Sequence, residues 1–258
     1  MKSSASTVEV RRVVLAVSTL EDRCDALEVA VEFAAQFKAE LAALLVDDIN
    51  LLKLAELPFA KEMDSFSGAI RPLDPMRLSG ALASNAEKLK RHLDEASRRR
   101  KVALTIRVVR GHFLTMAREA AEARDILVLN QTSRGRSKEV RARTSTYGGA
   151  PIWVYFDDSP GTRRGLALAI SLVQGTKRQL VVLLDKDANR ETVWNELARA
   201  RDTPGERISG VLNARDTGAM EDTLRTRGYA VLILPREMVD AEREPGTLGM
   251  ISGPRILA

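Results

Sequence analysis

The amino-acid sequence predicts an α/β protein made of two doubly wound parallel-sheet halves. Three observations lead there. Sliding the chain by 139 residues superposes the stretch from Arg12 to Asp48 on that from Pro151 to Asp187 without a gap, so Leu27 meets Leu166, Ala30 meets Ala169, Leu41 meets Leu180 and Leu44 meets Leu183. Each copy then reads as an apolar run, a polar turn, an amphipathic segment and a second apolar run, which is a strand–helix–strand unit. Lastly, Val13–Val17 and Leu180–Leu184 are apolar at nearly every position, as strands covered by helices on both faces of a parallel sheet must be.

The elements follow in order. Leu27, Ala30, Val31, Ala34 and Phe37 fall on one helical face of the first copy, and Leu166, Ala169, Ile170 and Val173 on one face of the second. After Asp48 the pattern breaks into an irregular stretch, Ile49–Arg77, holding three prolines. A long helix over Leu78–Arg100, a strand Val102–Val109, a helix Leu114–Ala123 and a strand Ile126–Leu129 complete the first half. In the second half a helix Glu191–Arg201, a strand Ile208–Leu212, a helix Met220–Arg227 and a strand Ala230–Leu234 repeat the order. Right-handed crossovers make each β-α-β-α-β-α-β run an open sheet. The domain boundary is expected between residues 1–150 and 151–258. Pro254–Leu257 adds a last short strand. Two full copies need separate strands to close the first and open the second, yet Ile152–Phe156 is the one candidate for both, so the first half reads as truncated. Gly111 and Gly228 sit where a strand exit and a helix exit need tight backbone.

Composition narrows the function classes. The 258 residues are 45% hydrophobic and 29% charged, the balance of a globular chain. No apolar run approaches the roughly 20 residues of a membrane span, and the start MKSSASTVEVRRV lacks a leader's apolar core, so a cytoplasmic protein is expected. One cysteine, Cys24, and two histidines, His92 and His112, exclude an internal disulfide, a Cys/His zinc cluster and in practice a histidine-based triad. The net charge of +5 resides wholly in the first half: residues 1–150 carry 25 basic and 20 acidic side chains, residues 151–258 carry 15 of each.

The opening VVLAVSTLEDRCDALEVAVEFAAQFKAELAALLVDD, the RVVRG after the third strand, EAAEARDILVLNQTSRGRS from Glu119 to Ser137, and WVYFDDSPGTRRGLALAISLV in the second half together resemble the universal stress protein family in its tandem form. The resemblance spans about two thirds of the chain and implies a cytoplasmic stress-response protein without known catalytic machinery, forming dimers or, as expected for these two halves, an intrachain pseudo-dimer, some members binding ATP and others not. ATP-binding members place an Asp after the first strand and a Gly-x2-Gly-x9-Gly-Ser/Thr loop after the fourth, where backbone N–H groups must approach phosphate closely. Here the loop frame reads Thr132-x2-Gly135-x9-Ser145-Thr146, with two glycines replaced, and the first-strand Asp is Ser18. The second half holds Asp157 at the position equivalent to Ser18, but Ile233–Glu244 has no glycine.

The leading expectation is therefore a non-enzymatic stress-response or regulatory protein with a degenerate nucleotide site and no cofactor. A second reading keeps ATP or another phosphate ligand, with slow hydrolysis, on Ser18, Thr132, Gly135, Arg136, Ser145 and Thr146, helped by the basic run Arg134–Arg143. A third makes the apolar stretch Asn50–Phe59 a docking surface for a protein partner, against a lid or plain intrachain packing. Arg98–Lys101 reads as cations closing a helix C-terminus, His92 as a solvated residue, and His112 as a helix-start residue near the ligand edge. Cys24, in a first helical turn, is a small residue or a low-pKa thiol. Trp153 and Trp194 are expected in the core or at an interface. Aromatics at 4% and the lack of a helix-turn-helix or RNP signature argue against nucleic acid. Val17–Asp22 lacks an adenylating loop, and no Walker loop is present. No catalytic or metal residue is assigned.

Overall fold

The computed structural model describes residues 10–21, 25–64, 67–122, 124–131, 151–175, 178–185, 187–199, 208–214, 231–239 and 253–257. Its elements in chain order are β1 (Arg12–Ser18), α1 (Asp25–Phe37), β2 (Glu40–Asp48), α2 (Ile49–Ala55), β3 (Lys61–Met63), β4 (Ile70–Pro72), α3 (Pro75–Arg100), β5 (Leu104–Gly111), α4 (Phe113–Ala120) and β6 (Ile126–Gln131). There follow β7 (Ile152–Phe156), α5 (Pro160–Gly175), β8 (Leu180–Asp185), α6 (Arg190–Arg199), β9 (Ile208–Ala214), β10 (Val231–Leu234), a 3-10 turn Arg236–Val239 and β11 (Gly253–Leu257).

Nine of the strands form one sheet, in the order β5-β2-β1-β6-β11-β10-β7-β8-β9. The runs β5-β2-β1-β6 and β9-β8-β7-β10 have the same internal order and are parallel throughout. The fold is thus α/β, doubly wound, with helices against a mostly parallel sheet. Between the runs lies β11, parallel to β10 but antiparallel to β6. That single reversal turns the second run end for end, so the carboxyl ends of the two runs face opposite edges of the sheet.

Alternation along each strand feeds two cores. Val13, Leu15 and Val17 of β1 pack with Ile152, Val154 and Phe156 of β7, with α1, α3, α5 and α6 covering them. Val14 and Ala16 join Leu127, Leu129, Trp153, Tyr155, Leu232 and Leu257 on the other face, against Ala117 of α4. Each fully buried Leu, Val or Phe here contributes about 1.5–3 kcal/mol relative to exposure. Both cores run across the β6–β11 junction, and polar contacts cross it too. Gln36 Nε2 donates to Ser171 O at 2.6 Å, and buried Arg178 pairs with Glu32 at 3.0 Å.

Local chemistry explains the helix limits. Asp74 caps α3, accepting from Met76 N at 2.9 Å, with Pro75 at the first helical position. Arg98–Arg100 fill its last turn and Lys101 ends it in the left-handed region at φ 57°. That cap delays the following strand, expected from Val102, to Leu104. Gly111 is required by proximity rather than by φ: a Cβ there would lie 2.7 Å from Met116 Cγ.

Three expectations need correction. The stretch Ile49–Arg77 is not irregular, because Asp48 caps α2 by accepting from Asn50 N at 2.9 Å and β3 pairs antiparallel with β4. Ile152–Phe156 does not serve both halves: β7 pairs with β8 and β10 only, and the place beside β6 is taken by β11. Trp153 lies in the core, while Trp194, beside the buried Val193 and Leu197 on α6, is 46% exposed and lies outside it. The expected packing of Asn50–Phe59 holds only in part: Ala55 is buried and Leu51 and Leu52 are half-buried, while Leu54, Leu57 and Phe59 are 46%, 41% and 73% exposed. The helix expected over Met220–Arg227, and Gly228, lie outside the described residues.

Candidate functional site

In an open parallel sheet the ligand crevice lies beyond the carboxyl ends of the strands where strand order reverses. The strand order gives two such places, between β1 and β6 and between β7 and β10. Both are built from β-strand exits and helix starts, where backbone N–H groups and the helix dipole favour an anion.

At the first crevice Ser18 ends β1. Its hydroxyl accepts from Leu20 N at 3.3 Å and its carbonyl from Glu21 N at 3.0 Å, so both oxygens hold the turn. Thr19, fully buried, donates its hydroxyl to Asp47 Oδ1 at 2.6 Å, and its carbonyl accepts from Asn85 Nδ2 at 3.2 Å. These bonds tie the β1 exit to β2 and α3. Asn130, buried near the end of β6, reaches across: its Nδ2 donates to Glu21 and its Oδ1 accepts from Ala26 N in the first turn of α1 at 3.3 Å. One side chain thus occupies a helix-start amide and links it to a carboxylate. An arriving polyphosphate would meet Glu21 and an amide already engaged, so the described residues do not fit that group. Thr132, Gly135, Arg136, Ser145 and Thr146, the run Arg134–Arg143, and Cys24 lie outside the described residues.

At the second crevice the loop after β7 folds onto the start of α5. Asp157 Oδ1 accepts from Ser159 N at 2.9 Å and from the buried Thr162 hydroxyl at 2.8 Å, while Ser159 Oγ caps α5 by accepting from Thr162 N at 3.3 Å. Burial works against ionisation of Asp157, but the hydrogen bonds from Ser159 and Thr162 prevail and its carboxyl sits below the usual range. Asp158 takes the left-handed conformation at φ 70°, which Asp tolerates, and pairs with Arg163 at 2.8 Å. Gly161 lets the segment after β10 press onto the helix start: a Cβ there would lie 2.6 Å from Glu237 Oε2 and 3.1 Å from Pro235 Cβ. The carboxylate of Glu237 therefore lies against the first turn of α5.

His112 stands at the start of α4, exposed, with Nδ1 3.2 Å from Asn50 Nδ2, and joins the start of α4 to that of α2. His92 is exposed on α3. Tyr155 donates to Asp185 Oδ2 at 2.6 Å, and burial with that bond pushes its hydroxyl well above the ordinary tyrosine range. Among the described residues no group of three or more His, Cys, Asp or Glu is placed to hold a metal, and no helix is long and apolar enough to cross a membrane. Sequence reasoning missed Glu21, Asn130 and Glu237, which act at separations of about a hundred residues or across the sheet. Thr162 had a local signal, since Asp-Asp-Ser-Pro-Gly-Thr places cap residues before a proline at a helix start.

No family model matches the chain, and no curated protein does. Among solved structures it resembles a universal stress protein from Archaeoglobus fulgidus DSM 4304, with a TM-score of 0.50, 11% identity and coverage of 95% of both chains. A protein of unknown function from Pseudomonas aeruginosa PAO1 matches with a TM-score of 0.45, 12% identity and coverage of 98% of this chain and 93% of that one. At such identities the first likeness is one of fold: the doubly wound sheet is that of a universal stress protein.

Proposed function

We propose that this chain is a non-enzymatic stress-response or regulatory protein of the universal stress type, cytoplasmic, with domains 1–150 and 151–258 joined as an intrachain pseudo-dimer and with nucleotide sites that no longer bind. The observation that carries this reading is the occupation of both switch-point crevices by the chain's own polar groups. Asn130 takes the α1 amide in one and binds Glu21. In the other, Asp157 is folded onto Ser159 and Thr162, with Glu237 against Gly161. A phosphate ligand must displace these bonds and desolvate two acids, which removes much of the affinity that a helix start supplies. Mass spectrometry of freshly purified, denatured protein tests it. The expected spectrum contains no stoichiometric nucleotide; one nucleotide per chain would refute the reading.

A second reading, docking of a protein partner on α2 and the residues after it, draws support from the exposure of Leu54, Leu57 and Phe59. Its test is a pull-down with the double variant Leu54→Ser, Leu57→Ser. Loss of a partner with an unchanged melting temperature supports docking; retention of every partner counts against it.

A further inference from the structure

A cavity of about 520 Å³ opens where the two runs of the sheet meet, on the same edge as the second switch point and one strand away from it. Its size falls within the roughly 300–1,000 Å³ of small-molecule pockets. Thr115, Arg118, Glu119 and Ala121 line one wall, Leu127 and Leu257 the floor, and Arg236 the far side. The floor is a consequence of register, because Leu257 at the end of β11 lies directly opposite Leu127 at the start of β6. The far side comes from the segment after β10, carried to this edge by the reversal at β11.

Arg236 is the feature that calls for a ligand. Its Nη2 donates to two main-chain carbonyls, Asp125 O at 2.6 Å and Glu122 O at 2.8 Å, which fix the guanidinium without neutralising it. Its Nε is buried and has no hydrogen-bond partner. Among the described residues no carboxylate forms an ion pair with it; burial and the like charge of Arg164 work against its charged form, while the more distant carboxylates of Asp125 and Glu237 favour it. A fixed, half-buried cation beside an apolar floor is the arrangement that orients an amphipathic anion. Arg118 and Glu119 on the opposite wall offset each other, so the lining carries one net positive charge, from Arg236, which favours a single negative charge over a polyphosphate.

We propose that this cavity binds a small organic monoanion, its carboxylate held by Arg236 and its apolar body lying on Leu127, Leu257 and Ala121. None of its lining residues is one of those that fill either crevice, although Arg236 stands between Pro235 and Glu237 of the second.

Octanoate is the probe, followed by calorimetric titration and by the rise in melting temperature that preferential binding to the folded state produces. Saturable one-to-one binding is expected. Octylammonium should not bind, and octyl phosphate at a pH where it carries two charges should bind more weakly than octanoate. Arg236→Gln should weaken octanoate about tenfold or more, as loss of a charge-assisted contact does. Because Arg236 also anchors the Glu122–Asp125 turn, a second variant is needed. Thr115→Trp fills the cavity from an exposed helix position and should abolish binding while leaving the unliganded melting temperature near that of the parent. Three results would overturn the proposal: no saturable binding of octanoate, equal binding of octylammonium, or undiminished binding by Thr115→Trp. Tighter binding of octyl phosphate would refute the preference for a single charge.

Discussion

Thr162 shows how one buried hydroxyl can close a crevice: it donates to Asp157 while its own amide is taken by Ser159. Thr162→Val keeps the volume and removes the donor, leaving a partly desolvated carboxylate without one of its bonds. A loss of about 1–3 kcal/mol is expected in chemical denaturation. Asp157 adds a pH dependence of known sign. Its carboxyl is depressed in the folded chain from an ordinary value of 3.8, so its share of stability is present above that pH and is lost as pH falls through the lower folded value. Asp157→Asn should therefore melt below the parent at pH 7 and converge with it in strong acid, which a series of melting curves would check. Arg12 makes a different case. It donates to buried Asp125 at 2.6 Å, and that hydrogen bond raises the guanidinium above its usual range. Arg12→Met strands the carboxylate and should cost about 3 kcal/mol or more in the same measurement. The cap residues of the Asp157–Thr162 turn were legible in the sequence, since their partners are at most five positions away. The Arg12–Asp125 pair spans 113 positions and left no local signal.

Elements with a strong internal period were the legible ones. The buried strands β1, β7 and β8 are apolar throughout, and α1, α3 and α5 show their buried faces at helical spacing. The region between β2 and α3 was not legible, for two reasons. Helix α2 is seven residues long, too short to show a period, and β3 and β4 have three residues each, mostly exposed. Its apolar residues looked like core but point outward, because α2 buries Ala55 and leaves Leu54 nearly half exposed. Leu54→Ser and Leu57→Ser should each change stability by no more than about 0.5 kcal/mol, the usual range for surface sites. A loss of several kcal/mol in urea would mean that the stretch packs as core after all.

At the scale of the whole molecule, the repeat of 139 residues revealed the order of strands but not how the runs join. Joining depends on β11, five residues whose partners lie about 20 and 126 positions away, and no pattern within Gly253–Leu257 specifies that it runs antiparallel to β6. Since both cores pass through this strand, removal of residues 253–258 should expose Leu127, Leu129, Leu232 and Leu234 together. The truncated chain is expected to lose its cooperative melting transition, whereas the full chain should unfold in one step by calorimetry. Two separate transitions in the full chain would contradict a shared core. The candidate site was legible as a place, the carboxyl ends of β1 and β7, and illegible in its contacts, because Asn130 and Glu237 reach those crevices only once the fold has formed. The central claim is that these crevices are closed to nucleotide, and the direct measurement is calorimetric titration of the full chain with magnesium-ATP to millimolar concentration. The account predicts no saturable heat and no change in melting temperature; one-to-one binding with a clear rise in melting temperature would contradict it.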